Sequence, residues 1–259
     1  MRFNRHNLIE FVKNNDINQV NSILNSKKSD INAKDKYSET ALMIASSKGY
    51  LEIVKLLVDN GANVNIKSDI GNTALMFASE CGKLDIVKYL VENGANINAK
   101  DDDGENALIH VLDAKKEKAL EIVRYLIDNG ANIEAKNYYG KTALMIASSE
   151  GHLETVKLLV ENGADVNAKN SKYGGTALME ASHLEVVKYL IENGADINAK
   201  DSDGNNLLMI ALEYRELDIV KYLLEKGANV NIKNNEGKTV LDLARNEDIK
   251  ELLRKAGAK

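Results

Sequence analysis

Residues 73–100, TALMFASECGKLDIVKYLVENGANINAK, contain the pattern that decides the fold. Thr73 is a typical helix N-cap residue, and apolar residues follow it at helical spacing until Gly82 breaks the helix. A second apolar-faced helix follows and ends at Asn93-Gly94, where glycine supplies the left-handed backbone conformation. The chain then becomes short and partly extended and turns at Asp103-Gly104. The stretch therefore predicts a helix, a turn, a second helix and a hairpin-like loop.

The same unit recurs along the chain at intervals of about 33 residues. One string, Asn-Gly-Ala-Asn/Asp, occurs six times, with its glycines at Gly61, Gly94, Gly130, Gly163, Gly194 and Gly227. In the last copy, lysine replaces the first asparagine. A second string, Thr-Ala-Leu-Met or a close variant, begins at Thr40, Thr73, Asn106, Thr142, Thr176, Asn206 and Thr239. Two independent strings that keep one period indicate tandem repeats of a single structural unit.

One such helix pair cannot bury its apolar faces alone, so neighbouring pairs must stack. The sequence therefore predicts an all-α repeat solenoid of about eight stacked helix pairs. We expect a single domain whose first and last repeats are caps that close it at both ends. Its predicted repeats are residues 4–36 (N-terminal cap), 37–69, 70–102, 103–138, 139–171, 172–202, 203–235 and 236–259 (C-terminal cap).

Two interior repeats break the period. Three extra residues lie within positions 114–119, and they predict a first helix longer by about one turn. Between Thr176 and Leu184 three residues are missing, together with the usual glycine before His183. Almost no connector remains between two helices there, which predicts a distorted or poorly ordered turn at residues 181–184. The alternative is that residues are absent from the sequence at this point.

The unit resembles the ankyrin repeat over nearly the whole chain. The family's Thr-Pro-Leu-His string is similar to Thr40-Ala41-Leu42-Met43, and its Gly-His-Leu-Glu string appears intact at Gly151–Glu154. The segment Gly-Ala-Asp-Val-Asn-Ala-Lys appears intact at Gly163–Lys169. Because methionine or another apolar residue mostly replaces the histidine, we expect the hydrogen bonds usually attributed to it to be absent in most repeats. The resemblance implies that a partner binds the concave surface formed by loop tips and first helices.

Composition excludes several classes of function. The net charge is −5, whereas general affinity for nucleic acid needs an excess of positive charge. The single cysteine, Cys81, permits no internal disulfide and suggests a reducing compartment. The sequence lacks a signal peptide's apolar segment and any apolar run long enough for a membrane helix. It predicts a cytoplasmic monomer, with secretion as an effector as the alternative location.

The residues that could carry chemistry form no recognisable catalytic or metal-binding motif. The histidines are His6, His110, His152 and His183, and there is no His-Glu-x-x-His or paired Cys-x-x-Cys motif. The strings Asp101–Gly104 and Asp201–Gly204 place glycine fourth, whereas an EF-hand loop has it sixth. The glycines fall on turn positions of the repeat, which leaves none for a phosphate-binding loop. The sequence predicts no catalytic residue, no cofactor and no metal, and thus no enzyme.

Tyrosines outside the repeat pattern mark the predicted partner site, because tyrosine is enriched at binding hot spots. They lie at loop tips or just after a first helix: Tyr37, Tyr138, Tyr139, Tyr173 and Tyr214. Tyr138-Tyr139 with Tyr173 forms the strongest predicted cluster. The predicted polar rim consists of Asp102, Asp103, Glu105, Lys141 and Lys172.

The leading functional hypothesis is a protein-interaction scaffold or adaptor with an unidentified protein partner. The alternative is a small nucleotide-like or phosphate-bearing ligand, bound by tyrosines and a row of lysines. Stacking would align Lys34, Lys67, Lys100, Lys136, Lys169, Lys200 and Lys233. The competing interpretation of these lysines is that they confer solubility and pair with neighbouring Asp and Glu residues.

Overall fold

A computed structural model describes residues 6–26, 29–112 and 118–259. The described residues form sixteen α-helices and no β-strand, which confirms the predicted all-α fold. The chain divides into two compact units, residues 1–138 and 139–259. None of the described helices has the length and apolar composition needed to cross a bilayer.

Each unit contains four pairs of helices among its described residues. Those of the first unit are α1 His6–Lys13, α2 Ile17–Asn25, α3 Ala41–Lys48, α4 Leu51–Asp59, α5 Ala74–Glu80, α6 Leu84–Glu92, α7 Ala107–Leu112 and α8 Ala119–Asp128. Those of the second unit are α9 Ala143–Ser149, α10 Leu153–Glu161, α11 Ala177–Glu180, α12 Leu184–Glu192, α13 Leu207–Tyr214, α14 Leu217–Glu225, α15 Val240–Leu243 and α16 Glu247–Lys255.

The helix pairs stack in order within each unit. In the first unit, α3 packs against α1 and α5, and α5 packs against α7. The second helices form a parallel series of contacts, in which α4 packs against α2 and α6. In the second unit, α11 packs against α9 and α13 in the same way. Stacking therefore buries the apolar faces that a single pair would expose.

Three of the four threonines that begin a Thr-Ala-Leu-Met string cap their first helix, as the sequence predicts; they are Thr40, Thr73 and Thr142. The Thr73 hydroxyl accepts a hydrogen bond from the backbone N–H of Met76, 3.4 Å away. The backbone N–H of Thr73 in turn donates to the Met76 sulfur at 3.3 Å, and Thr40 and Met43 form the same pair. The expected loss of hydrogen bonding at this position is therefore wrong for these two repeats, because the methionine sulfur serves as a weak acceptor.

Asparagine side chains connect the loops of successive repeats. The Asn98 Oδ1 accepts from the backbone N–H of Asn132 at 2.7 Å, and its Nδ2 donates to the carbonyl oxygen of Gly130 at 3.0 Å. These bonds satisfy backbone groups that the end of a helix leaves without partners. The same pair of bonds is made by Asn65, Asn167 and Asn231. These four asparagines therefore link the loops of successive repeats.

The repeat with three missing residues differs from its neighbours. Helix α11 has four residues, whereas α9 has seven, and Ala181 and His183 have extended backbone conformations. The Thr176 hydroxyl is buried without a hydrogen-bond partner among the described residues. The backbone thus departs from the regular turn, as the missing residues predict. The predicted extension of the first helix in the other irregular repeat falls on residues 113–117, which lie outside the described residues.

We expect Ser79→Ala to stabilise the protein. The Ser79 side chain is fully buried in α5, and its hydroxyl has no hydrogen-bond partner among the described residues. Alanine removes a desolvated hydroxyl and favours the helix, so the free energy of unfolding should rise by about 1 kcal/mol. Urea unfolding followed by circular dichroism measures this change.

Ser47 is the matched control, because its hydroxyl donates to the carbonyl oxygen of Ile44. A stability loss in Ser79→Ala as large as that in Ser47→Ala would contradict the prediction.

Candidate partner-binding site

An open groove with a volume of about 450 Å³ lies in the second unit, beside the short helix α11. Its lining includes the apolar side chains of Met179, Ala181 and Ile210, together with Tyr173 and Tyr214. Tyr214 is 73% exposed and Tyr173 is 54% exposed. Because α11 ends early, the turn that completes the regular first helix is missing, and residues 181–182 line the groove instead.

The groove is acidic. Its described lining residues include Glu180, Asp201, Glu213 and Glu216 but no lysine or arginine. Burial raises the pKa of the Glu216 carboxyl above its ordinary value, and the nearby charge of His183 lowers that pKa in part. Carboxylates concentrated in a concave surface attract a positively charged group.

The side chain of Lys172 contacts two of the predicted tyrosines, Tyr139 and Tyr173. The Lys172 ammonium lies 4.6 Å from the centre of the Tyr139 ring and 4.9 Å from that of Tyr173. Cation–π contacts of this kind hold exposed rings in a defined orientation. Lys141 is half-buried and forms an ion pair with Glu180 at 2.8 Å, which orients one carboxylate of the groove.

The other predicted site residues belong to the first unit. Tyr138 is exposed, and its backbone N–H donates to the carbonyl oxygen of Asp103 at 2.6 Å. Tyr37 is also exposed, and the Lys36 ammonium lies 4.6 Å from its ring centre. The three predicted acidic residues line a second groove of about 450 Å³ in this unit; they are Asp102, Asp103 and Glu105.

Within each unit, the lysines of the predicted row form hydrogen bonds to main-chain oxygens of the next repeat. The Lys34 ammonium donates to the carbonyl oxygen of Lys67 at 2.7 Å, and the Lys67 ammonium donates to that of Lys100 at 2.6 Å. Lys100, Lys169 and Lys200 donate to the following repeat in the same way. The acceptors of these bonds are main-chain oxygens, and the pairing of the lysines with Asp and Glu side chains stays a prediction. The lysines tie repeats together, which weakens the hypothesis of a phosphate-binding row.

Several residues of the groove were missed by reasoning from the sequence, and for one of them, Glu180, a signal was present. Glu180 follows a Thr-Ala-Leu-Met string, at a position where other repeats have Ile44, Phe77 or Ile146. His110 occupies the same position in its own repeat. A polar residue at an apolar position of the repeat marks a place where the repeat has been altered.

The stacked helix pairs define a repeat protein of the solenoid class, and comparison with known proteins specifies the family. A sequence profile described as ankyrin repeats (3 copies) matches residues 8–101, 99–170 and 182–259, so the chain belongs to the ankyrin repeat family. Residues 171–181 lie outside all three ranges, and they include Tyr173 and the short helix α11. The recognised pattern is thus interrupted where the groove lies.

Among solved structures, the chain is similar to the ankyrin repeat domain of Bcl-3, which is described as a unique member of the IkappaB protein family. The sequences are 31% identical, the TM-score is 0.73, and the match covers 85% of this chain and 100% of that one. A comparison with curated protein sequences finds no significant match.

Proposed function

We propose that this chain is a non-catalytic scaffold or adaptor that binds a partner protein in the groove beside α11. Ankyrin repeats are, in general, protein-interaction modules, and the family is typically non-catalytic. The observation that carries the proposal is the groove itself, which combines exposed aromatic rings, an apolar lining and several carboxylates. Anchoring rings around a partly apolar cleft are typical of interfaces.

The chemistry of the groove specifies the kind of partner segment. Met179, Ala181 and Ile210 can bury an apolar side chain, and the carboxylates beside them favour an adjacent lysine or arginine. We propose an extended peptide segment of the partner that carries one basic residue next to one apolar or aromatic residue. An acidic groove repels a phosphate-bearing ligand, so the same observation argues against the alternative function.

A selection experiment tests this proposal. The full chain is used to select binders from a displayed library of random peptides, and the affinity of the selected peptides is measured by fluorescence anisotropy. We expect the peptides to share a Lys or Arg beside an apolar residue. The double variant Tyr173→Ala/Tyr214→Ala should weaken their binding at least about tenfold, because truncating anchoring rings at an interface has effects of this size.

Tyr37→Ala is the matched control, since it removes an equally exposed tyrosine from the first unit. Its affinity for the selected peptides should stay within about twofold of the wild type, because exposed residues outside an interface contribute little. Selected peptides that lack a basic residue would contradict the proposed partner chemistry. Equal binding by the wild type and the double variant would contradict the proposed location.

A further inference from the structure

The second groove, in the first unit, contains three side chains of the kinds that bind metal ions. The potential ligand atoms of Asp101, Glu105 and His110 all lie within 4.8 Å of one another. The His110 ring is buried, and its Nε2 is 2.9 Å from Asp101 Oδ2. Ligand atoms that share one tetrahedral ion lie roughly 3.3 Å apart, so modest side-chain rotations would bring all three to one centre.

The loop itself does not require this combination of residues. Asp101 Oδ1 accepts a hydrogen bond from the backbone N–H of Glu105 at 2.8 Å, which shapes the turn. Asp201 makes the same bond to the N–H of Asn205 at 2.8 Å, and Ile210 stands where His110 would be. The second unit thus keeps the bond that shapes the loop without the imidazole or the second carboxylate. The imidazole is an addition that the shape of the loop does not require. Glu105 also accepts a hydrogen bond from Asn137 Nδ2 at 3.0 Å, but the equivalent acceptor in the second unit is the neutral amide of Asn205, so this bond does not require a carboxylate.

A fourth potential ligand lies on the loop that precedes the first helix of the repeat before His110, one period earlier in the chain. Asn72 lines the same groove and is only 6% exposed, and its Oδ1 has no hydrogen-bond partner among the described residues. An unpartnered buried amide oxygen is costly, and a bound cation would satisfy it. The described lining of this groove also includes Glu80, Asp102 and Asp103 but no lysine or arginine. The groove therefore combines a strongly negative potential with an oxygen that lacks a partner.

The corresponding place in the second unit contains a cation that belongs to the chain. Lys141 precedes its Thr-Ala-Leu-Met string as Asn72 precedes Thr73, and Glu180 occupies the position of His110. The Lys141 ammonium binds Glu180 Oε2 at 2.8 Å, and Asn170, the equivalent of Asp101, donates to Glu180 Oε1 at 3.4 Å. In the first unit a neutral amide, Asn72, replaces that lysine, and the carboxylates of Asp101 and Glu105 stand where the second unit has Asn170 and Gly175.

We propose that Asp101, Glu105 and His110, with the Oδ1 of Asn72, form a binding site for a divalent transition-metal ion such as Zn²⁺. The imidazole selects this class, because Mg²⁺ and Ca²⁺ prefer ligand sets made of oxygen alone. Asn137 Nδ2 donates to Glu105 Oε1 at 3.0 Å, which orients that carboxylate as outer hydrogen bonds orient metal ligands. The ligands come from separate parts of two repeats, so no local sequence motif indicates them. An ion bound there would cross-link two loops.

Titration of the metal-free full chain with Zn²⁺ in a calorimeter at neutral pH tests the site. We expect one ion to bind per chain, more tightly than Mg²⁺ or Ca²⁺, and to raise the unfolding temperature. His110→Gln and Glu105→Gln should each weaken binding about 100-fold, since even outer-sphere partners of metal ligands contribute 10–100-fold. Circular dichroism establishes whether each variant is folded, and the two variants keep the test valid if one of them does not fold.

Asp103→Asn is the matched control, because it removes one negative charge from the same groove without removing a proposed ligand. Its affinity should stay within about threefold of the wild type, as expected for a partly screened charge. His152→Gln should leave binding unchanged and controls for an ion bound by another histidine. Absence of Zn²⁺ binding, tighter binding of Mg²⁺ or Ca²⁺, or equal weakening by Asp103→Asn and Glu105→Gln would overturn the proposal. Wild-type affinity in both folded ligand variants would also overturn it, because the bound ion would then be adventitious.

Discussion

Replacing Gly71 with alanine is expected to lower the free energy of unfolding by about 3 kcal/mol, because backbone strain and steric overlap both oppose the new Cβ. Gly71 has a φ of +81°, a backbone conformation that residues other than glycine rarely adopt. A Cβ at this position would lie 2.7 Å from the backbone N of Asp102 and 2.8 Å from the Cα of Asp101. These atoms belong to the backbone of the next loop, so a side-chain rotation cannot relieve the overlap.

Gly94→Ala separates the two contributions. Gly94 has a φ of +84°, but a Cβ there would meet no described atom within 4 Å. Its cost should be about 1 kcal/mol, from the backbone conformation alone. Urea unfolding of the two variants gives the comparison. Equal losses of stability would contradict the close approach of the loops at Gly71.

Inserting Ser-Glu-Gly between Ser182 and His183 is expected to abolish binding of groove-directed peptides. The variant would read TALMEASSEGHLE, which differs from residues 142–154 only in having Glu180 where the regular repeat has Ile146. Helix α11 should lengthen from four residues toward the seven of α9. The restored turn would fill the space that a partner is proposed to occupy, so affinity should fall at least about tenfold.

Two measurements on the insertion variant check this prediction, which rests on the proposed function. Circular dichroism should show added helix, and fluorescence anisotropy should show the loss of binding to peptides selected on the wild type. The same tripeptide appended after Lys259 controls for composition. Added helix with unchanged peptide affinity would contradict the role of the shortened helix in forming the groove.

The helices could be predicted from the sequence because their signals are local. A capping threonine such as Thr73, apolar residues at helical spacing and a terminating Asn93-Gly94 act within one unit. The regular period then required neighbouring units to stack. The site was predicted less completely. Tyr173 and Tyr214 line the groove as exposed residues, but Met179 and Glu216 beside them gave no signal of their own.

The amino-acid sequence by itself determined the repeat, its helix pairs, its turns and the place where three residues are missing. Tertiary structure decided which side chains meet across repeats. His110 gave no motif, yet packing places its ring against Asp101 in the same groove as Asn72. The physical reason is that a loop and a helix of one repeat approach the loop of the preceding one only after stacking. Contacts of that kind depend on distances between repeats, which a local pattern does not specify.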